Sequence, residues 1–399
     1  MKLAIVILDG ASGNPLSEYN GKTTLEQAHT PNLDLLAQVG QVGLAVNVPD
    51  DMEPSSNVAC TSIMGYHPKD YPIGRGALEG AALDLDLAPD ELAMRLNLTN
   101  VSEDGIMVSY STDNISSADA QALADELKAK LDDETFTLHK ATGFRQILVV
   151  TGHPELMDTT LAAPHNFSDE LVAEYLPSGP GAKLMIDYQQ RARQILAASS
   201  VNARRVAEGK LPATDVFAFW PGKRPDGMRS FSEIYGKTAG MLSGVDLLRG
   251  IAKLADIDRY HFEGVTDGAD NDYAAQGEGA LVMLAEKDVV FIHVEAPDAE
   301  GHDGNVEGKL RAVEAIDREI ISRLMDYAKN TPLRILALPD HPTPVATKRH
   351  THDPVPFLLS GPGIAANSGR RLTENEAKAT GLVVDPGCNM MKVLFEGAE

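Results

Sequence analysis

The sequence predicts an α/β fold, a doubly wound, mostly parallel sheet carrying a smaller inserted α+β domain. Three observations support this. The runs Lys2–Leu8, Val289–Val294 and Leu333–Leu338 are short, apolar and rich in branched aliphatic residues, the pattern of strands buried on both faces. Helical patterns alternate with such runs towards both ends of the chain, which implies parallel strands covered by helices. From about residue 86 the rhythm changes to paired strands around a single helix.

In chain order, the first strand ends at Asp9-Gly10. Thr30-Pro31 signals a helix start, because Thr can cap and Pro suits the first helical position. Arg95–Val101 and Ile106–Ser111 read as strands joined by the turn Glu103-Asp-Gly. Ser117 is placed to cap a helix running to about Leu131, with Leu123, Leu127 and Leu131 on its apolar side. Phe136–Lys140 and Gln146–Val150 complete a β-β-α-β-β module. The expected division is therefore residues 86–178 as the insertion, with 1–85 and 179–399 forming the main domain. A long helix over 181–209 leads back, followed by a strand at Asp215–Trp220. Then come a helix over 244–255, a strand at His261-Phe262 and a helix over 277–286.

Composition narrows the function classes. At 399 residues two domains are the expectation, and 43% hydrophobic residues suit a globular chain. No apolar run reaches membrane-spanning length, and Met1 leads directly into a strand, so neither a membrane span nor a signal peptide is expected. Two cysteines, Cys60 and Cys388, fit a reducing, cytoplasmic setting. A formal charge of −23 argues against nucleic acid as a partner. An anionic substrate would have to be held by local cations or metal ions.

The chemistry gathers at strand ends. Val289–Val294 is followed by Pro297, Asp298 and His302, and on a helix the last two share a face. Leu333–Leu338 delivers Asp340 and His341 together. Arg349-His350-Thr-His352 precedes a further apolar strand at Val355–Leu359, and the first strand delivers Asp9. Each piece alone could be a solvated turn or a helix cap. Together, carboxylate oxygens and imidazole nitrogens are the donors a divalent centre takes, in numbers sufficient for two ions.

These pieces, with Lys22-Thr-Thr-Leu-Glu-Gln-Ala-His-Thr-Pro, Ser56-Asn-Val-Ala, Gly65-Tyr-His-Pro, Gly74-Arg-Gly-Ala-Leu-Glu79, Glu174-Tyr-Leu-Pro-Ser-Gly and Ser243-Gly-Val-Asp-Leu-Leu, cover nearly the whole chain. In that combination the sequence resembles the archaeal-type, cofactor-independent phosphoglycerate mutases of the alkaline phosphatase superfamily. The resemblance implies an alkaline-phosphatase type sheet with the insertion as a substrate-holding lid. It implies Ser56 as nucleophile, although Ser-Ser-Asn before an apolar run is also a capping pattern. Ser55 is the competing residue. It implies two metal ions, one held by Asp9, Ser56, Asp340 and His341, the other by Asp298, His302 and His350, with His352 the runner-up for the last. Mn, Zn, Co or Mg would suit such donors. Neither 2,3-bisphosphoglycerate nor a nucleotide is expected. Gly236-Lys237-Thr238 only approaches a phosphate-binding loop, since Phe231 stands where Gly is needed.

For the substrate, Arg75 matches the family's Gly-Arg-Gly, and His165 its Pro-His motif. Arg145 and Lys237 are further basic candidates. There are departures: Asn57 follows the serine where the family usually has an acid, Cys60 replaces a histidine, and Ser111–Ser116 lacks the arginines of many relatives. The implied reaction is interconversion of 3- and 2-phosphoglycerate through a phosphoserine. The alternative is a metal-dependent phosphomonoesterase or phosphotransferase acting on another small phosphate ester. A non-enzymatic metal-binding module would be expected to have lost ligands, and none of the seven is missing. The sequence leaves the oligomeric state open.

Overall fold

A computed structural model describes residues 1–396 and divides them into two compact units. In chain order the strands are β1 (Lys2–Leu8), β2 (Gln41–Ala45), β3 (Glu91–Val101), β4 (Met107–Ser109), β5 (Phe136–Lys140), β6 (Arg145–Thr151) and β7 (Asp215–Gly222). They continue as β8 (Ala239–Leu242), β9 (Asp258–Tyr260), β10 (Val289–Val294), β11 (Leu333–Leu338), β12 (Val355–Ser360) and β13 (Val383–Val384).

The first unit, Met1–Pro72 with Gly227–Glu399, holds an eight-stranded sheet in the order β13-β2-β12-β11-β1-β10-β8-β9. It is mostly parallel, and β12 runs antiparallel to both its neighbours. Strands β10 and β11 are buried along their whole length because helices cover both faces. Truncating Ile292, wholly buried in β10, to Ala would cost about 2–5 kcal/mol. Register positions the site. Leu8 pairs with Val294 and Ile7 with Leu338, so the residues after β1, β10 and β11 emerge side by side at one carboxyl edge.

Thr30 makes no capping bond to the Pro31–Val39 helix. Its first-turn amides donate instead to Asp317, which accepts from Leu33 (2.7 Å) and Asn32 (3.2 Å) out of a π-helical turn at Ile316–Ile321. A carboxylate 285 positions from Asn32 in sequence serves the same amides with a full charge.

The second unit, Ile73–Asp226, carries a five-stranded antiparallel sheet. It is wider than the 86–178 expected. The Asp215 strand, assigned by sequence to the main domain, pairs with β3, and the helices leading to it pack on this sheet. The long helix expected over 181–209 is two, Ala182–Ala197 and Ser200–Ala207. Ser199 breaks it, accepting from the amides of Val201 and Asn202 as the cap of the second helix. The Ser117–Leu131 helix buries Leu123, Leu127 and Leu131 as its periodicity predicts, although Ser116 is its cap. The last strand expected before Asp272 lies at Asp258–Tyr260, short of His261-Phe262. Among the described residues, no helix is long and apolar enough to cross a membrane.

Candidate active site

In the first unit all seven sequence-predicted ligands meet at the carboxyl edge of the sheet. Asp9, Asp340 and His341 place ligand atoms within 4.8 Å of one another, and so do Asp298, His341 and His350. His341 thus belongs to both groups, which the sequence had kept apart. His302 joins through Asp298 (3.1 Å) and His350 (2.8 Å).

Local structure explains the convergence. Asp298 and His302 lie on the short helix Ala296–Asp303, opened by Pro297 in its first turn. Gly10, at φ +59°, comes so close that a Cβ would collide with the Asp298 carboxylate and the Thr343 hydroxyl. The Gly10 amide donates to Asp340 Oδ1 (3.1 Å), as does that of His341 (2.8 Å). Lys309, fully buried, ties the two loops from beneath by donating to the carbonyls of Ser12 (3.2 Å) and Thr343 (2.7 Å). Burial pushes its ammonium down to about 8.

The hydrogen bonds reveal what the centre lacks. His302 Nδ1 donates to the Lys348 carbonyl and His350 Nδ1 to that of Pro54, each at 3.0 Å. Once His302 gives up the proton that Asp298 favours on it, both Nε2 atoms are lone pairs, facing each other at 2.8 Å. Thr343 gives its hydroxyl proton to Asp298, so His341 Nδ1 donates to Thr343 and its Nε2 also presents a lone pair. That atom faces Asp340 Oδ2 at 3.2 Å and Asp9 Oδ1 at 3.7 Å. Asp9 Oδ1 is buried with no hydrogen-bond partner. Around the buried Asp9, Asp340 and His341 acceptors face acceptors, which calls for a cation, and the N and O donors of the whole set fit divalent ions.

Charge tells the same story. Burial raises the Asp9 carboxyl well above its usual range, and repulsion from Asp340, Glu295 and Asp298 raises it further. Glu295 rises to about 7, chiefly through burial. Burial works against the ionised Asp298 as well, but the imidazoles of His302 and His350 overrule it and hold that carboxyl far below normal. Asp298 in turn lifts His302 to about 9.

Ser56 opens the helix Ser56–Ile63, and its Oγ lies 3.2 Å from His341 Nε2. Among the described residues the amides of Ser56, Asn57 and Val58 meet no hydrogen-bond acceptor. Ser55 turns away and donates to the Glu53 carbonyl (3.3 Å). His352 lies outside both ligand groups and bonds the Met52 carbonyl (2.7 Å). Cys60 is buried 3.8 Å from Asp340 Oδ2, and it and Cys388 are free thiols.

The basic candidates divide. Arg75, Arg145 and His165 gather in the second unit around two residues that sequence reasoning missed, Arg95 and Trp220. The Arg75 guanidinium lies 4.1 Å from the Trp220 ring centroid and that of Arg95 5.5 Å. Glu79 accepts from Arg75 Nε (3.0 Å) with one oxygen and from Arg95 Nε (2.7 Å) with the other. Among the described residues the terminal nitrogens of both arginines find no acceptor. Burial lowers the Arg95 pKa, Glu79 opposes that, and Arg145 and Arg75 add to it. His165, its ring 5.5 Å from Trp220, is likewise lowered by burial and by Arg95 and Arg75. Trp220 sits in a bulge of β7 at φ +56°, a costly backbone conformation that aims its ring at the arginines. Gly76 permits this closeness, since a Cβ there would strike the carbonyls of Ala93 and Trp220. The i,i+4 spacing of Arg75 and Glu79 was a readable signal; Arg95 offered none.

Lys237 requires a correction. It precedes β8, at the amino-terminal edge of the first sheet, where its charge helps to lower the Asp288 carboxyl. The ligands occupy the opposite edge, because parallel strands carry both groups in one direction.

Comparison with known proteins adds an independent finding. Residues 37–202 match the family model described as 2,3-bisphosphoglycerate-independent phosphoglycerate mutase. A protein of that name from Methanosarcina mazei is 39% identical over 361 residues, 90% of each chain. A probable one from Geobacter sulfurreducens is 36% identical over 401 residues, covering 99% of this chain and all of its own. The solved cofactor-independent phosphoglycerate mutase of Thermoplasma acidophilum matches with TM-score 0.69 at 25% identity over the full length of both chains. A structure from Pyrococcus horikoshii matches with TM-score 0.82 at 27% identity, covering 99% and 96%.

Proposed function

The chain belongs to the 2,3-bisphosphoglycerate-independent phosphoglycerate mutase family, and on that premise we propose that it interconverts 3-phosphoglycerate and 2-phosphoglycerate by carrying the phosphoryl group on Ser56. The observation that carries this reading is the position of Ser56 Oγ, 3.2 Å from His341 Nε2 at the meeting point of the two ligand groups.

Asp9, Asp340, His341 and Ser56 would hold one divalent ion, and Asp298, His302 and His350 the other. Manganese is the first choice among Mn, Zn, Co and Mg. Such ions lower the pKa of a serine hydroxyl and stabilise charge on attacking and leaving oxygens. Ser56 loses its hydroxyl proton as Oγ attacks phosphorus in line; a P–O bond forms to the serine, the bond to the glycerate oxygen breaks, and that oxygen takes up a proton. The free amides of Ser56, Asn57 and Val58 can receive the phosphoryl oxygens. The freed glycerate turns, its other hydroxyl loses its proton and forms the new O–P bond, the Ser56 O–P bond breaks, and the serine oxygen regains a proton.

Arg75, Arg95, Arg145 and His165 are assigned the substrate's carboxylate. Their excess of positive charge over the single carboxylate of Glu79 supports an anionic ligand. The assay is 3-phosphoglycerate with Mn, 2-phosphoglycerate being read through coupled enolase and inorganic phosphate followed in parallel. Formation of 2-phosphoglycerate well ahead of phosphate release is the expected result. Phosphate release outrunning it overturns the mutase reading in favour of a phosphatase.

A further inference from the structure

The segment Ser243-Gly-Val-Asp-Leu-Leu takes no part in the reaction described above, and neither does His293, the one histidine inside β10. Both are buried, Ser243 at 4% and His293 at 1% exposure. Ser243 follows β8, and the pairing of Leu242 with Ile292 sets it beside His293. His293 Nε2 lies 2.7 Å from Asp9 Oδ2, and His293 Nδ1 lies 3.0 Å from Ser243 Oγ.

The direction of each bond is set by its chemistry. With a cation against Oδ1, Asp9 is ionised and can only accept, so Nε2 carries the proton. Nδ1 of the neutral ring then accepts, so the Ser243 hydroxyl donates. Ser243 Oγ itself accepts from the Val245 amide (3.0 Å). The polarity therefore runs one way, Val245 N–H to Ser243 O–H to His293 to Asp9. The strand beneath is anchored as well. The His293 carbonyl accepts from Gln276 (2.6 Å), Gln276 accepts from Asn271 (2.9 Å), and Asn271 accepts from the Thr266 amide (3.1 Å). This line consumes Asp9 Oδ2 and leaves Oδ1, the oxygen without a partner, facing His341.

We propose that Ser243 and His293 form a positioning relay that turns Asp9 into a one-oxygen ligand and orients Oδ1 towards the cation. The inference rests on the two-metal reading above. Groups that orient a metal ligand in this way typically contribute about 10- to 100-fold in metal affinity.

The test is titration of full-length, chelator-stripped protein with Mn²⁺, followed by calorimetry and by EPR of the free ion. Ser243→Ala should weaken the affected site by about tenfold and His293→Ala by up to about a hundredfold, both at unchanged stoichiometry. His293→Gln, whose Nε2 can still donate to Asp9, should restore most of the affinity, and adding Ser243→Ala to it should then change little. Thermal melts of the metal-free forms identify a variant that has not folded, and Ser243→Ala, which removes one oxygen, keeps the test decisive in that case. Unchanged affinity in Ser243→Ala and His293→Ala alike overturns the relay. Loss of one bound ion with unaltered affinity for the rest overturns it too, because His293 would then be a ligand. Wild type that binds no divalent ion overturns both the relay and the metal reading.

Discussion

The two units each gather charge, and they do so with opposite sign and by opposite means. In the first, buried carboxylates and imidazoles crowd together with acceptors facing acceptors, and hydrogen bonds from backbone and buried side chains fix each donor. In the second, the guanidiniums of Arg75 and Arg95 share one carboxylate and an indole, held on the face of a sheet by a bulge in β7, with Arg145 over Phe144. Each cluster is incomplete by the charge it lacks, so the first calls for cations and the second for an anion. In a chain with a formal charge of −23, the second cluster is a local reversal of the overall field.

The largest expected effect tests the first cluster alone. Ser56→Ala should reduce phosphoryl transfer on the order of a thousandfold or more while leaving the melting transition in place, because it removes the attacking atom and no core volume. Phosphoserine trapped at Ser55 would move the nucleophile by one residue. Next, Asp340→Asn and His302→Ala should lower bound metal, read by elemental analysis, and activity by more than about tenfold. Activity lost with metal content unchanged would remove those residues from the ligand set.

The second cluster should respond in the complementary way. Arg75→Ala or Arg95→Ala should weaken binding of 3-phosphoglycerate by about ten- to a hundredfold, a charge-assisted contact of roughly 1.5–3 kcal/mol, with Mn²⁺ affinity untouched. A fall in metal affinity in either variant would erase the division of labour between the units.

The smallest expected effect is a pH dependence. His302, raised to about 9 by Asp298, lends the metal-free fold a stability that is complete below its ordinary value of 6.5 and lost as pH rises through about 9. Metal must displace that proton, so metal affinity should climb over the same window. Denaturant melts of the stripped protein and Mn²⁺ titrations between pH 6.5 and 9 should therefore slope in opposite directions. Parallel slopes would mean that His302 does not meet the ion.

The sequence alone determined the cluster of carboxylates and imidazoles and the strands beneath it. Strands buried on both faces read as unbroken apolar runs, and parallel strands in one sheet deliver their next residues to one edge. Asp9, Asp298, Asp340 and His341 were therefore legible as a set before any distance was known. Tertiary structure decided what depends on lateral register and on partners remote in sequence. That includes His341 standing in both ligand groups, Asp317 taking the cap expected of Thr30, and β7 joining the inserted sheet. It also includes Arg95, a polar residue in a strand pattern that is indistinguishable from a solvated one until Glu79 and Trp220 are brought beside it. Lys237 failed for the same reason. Charge is visible in a sequence, but which end of a sheet it occupies is fixed only when the strands pair.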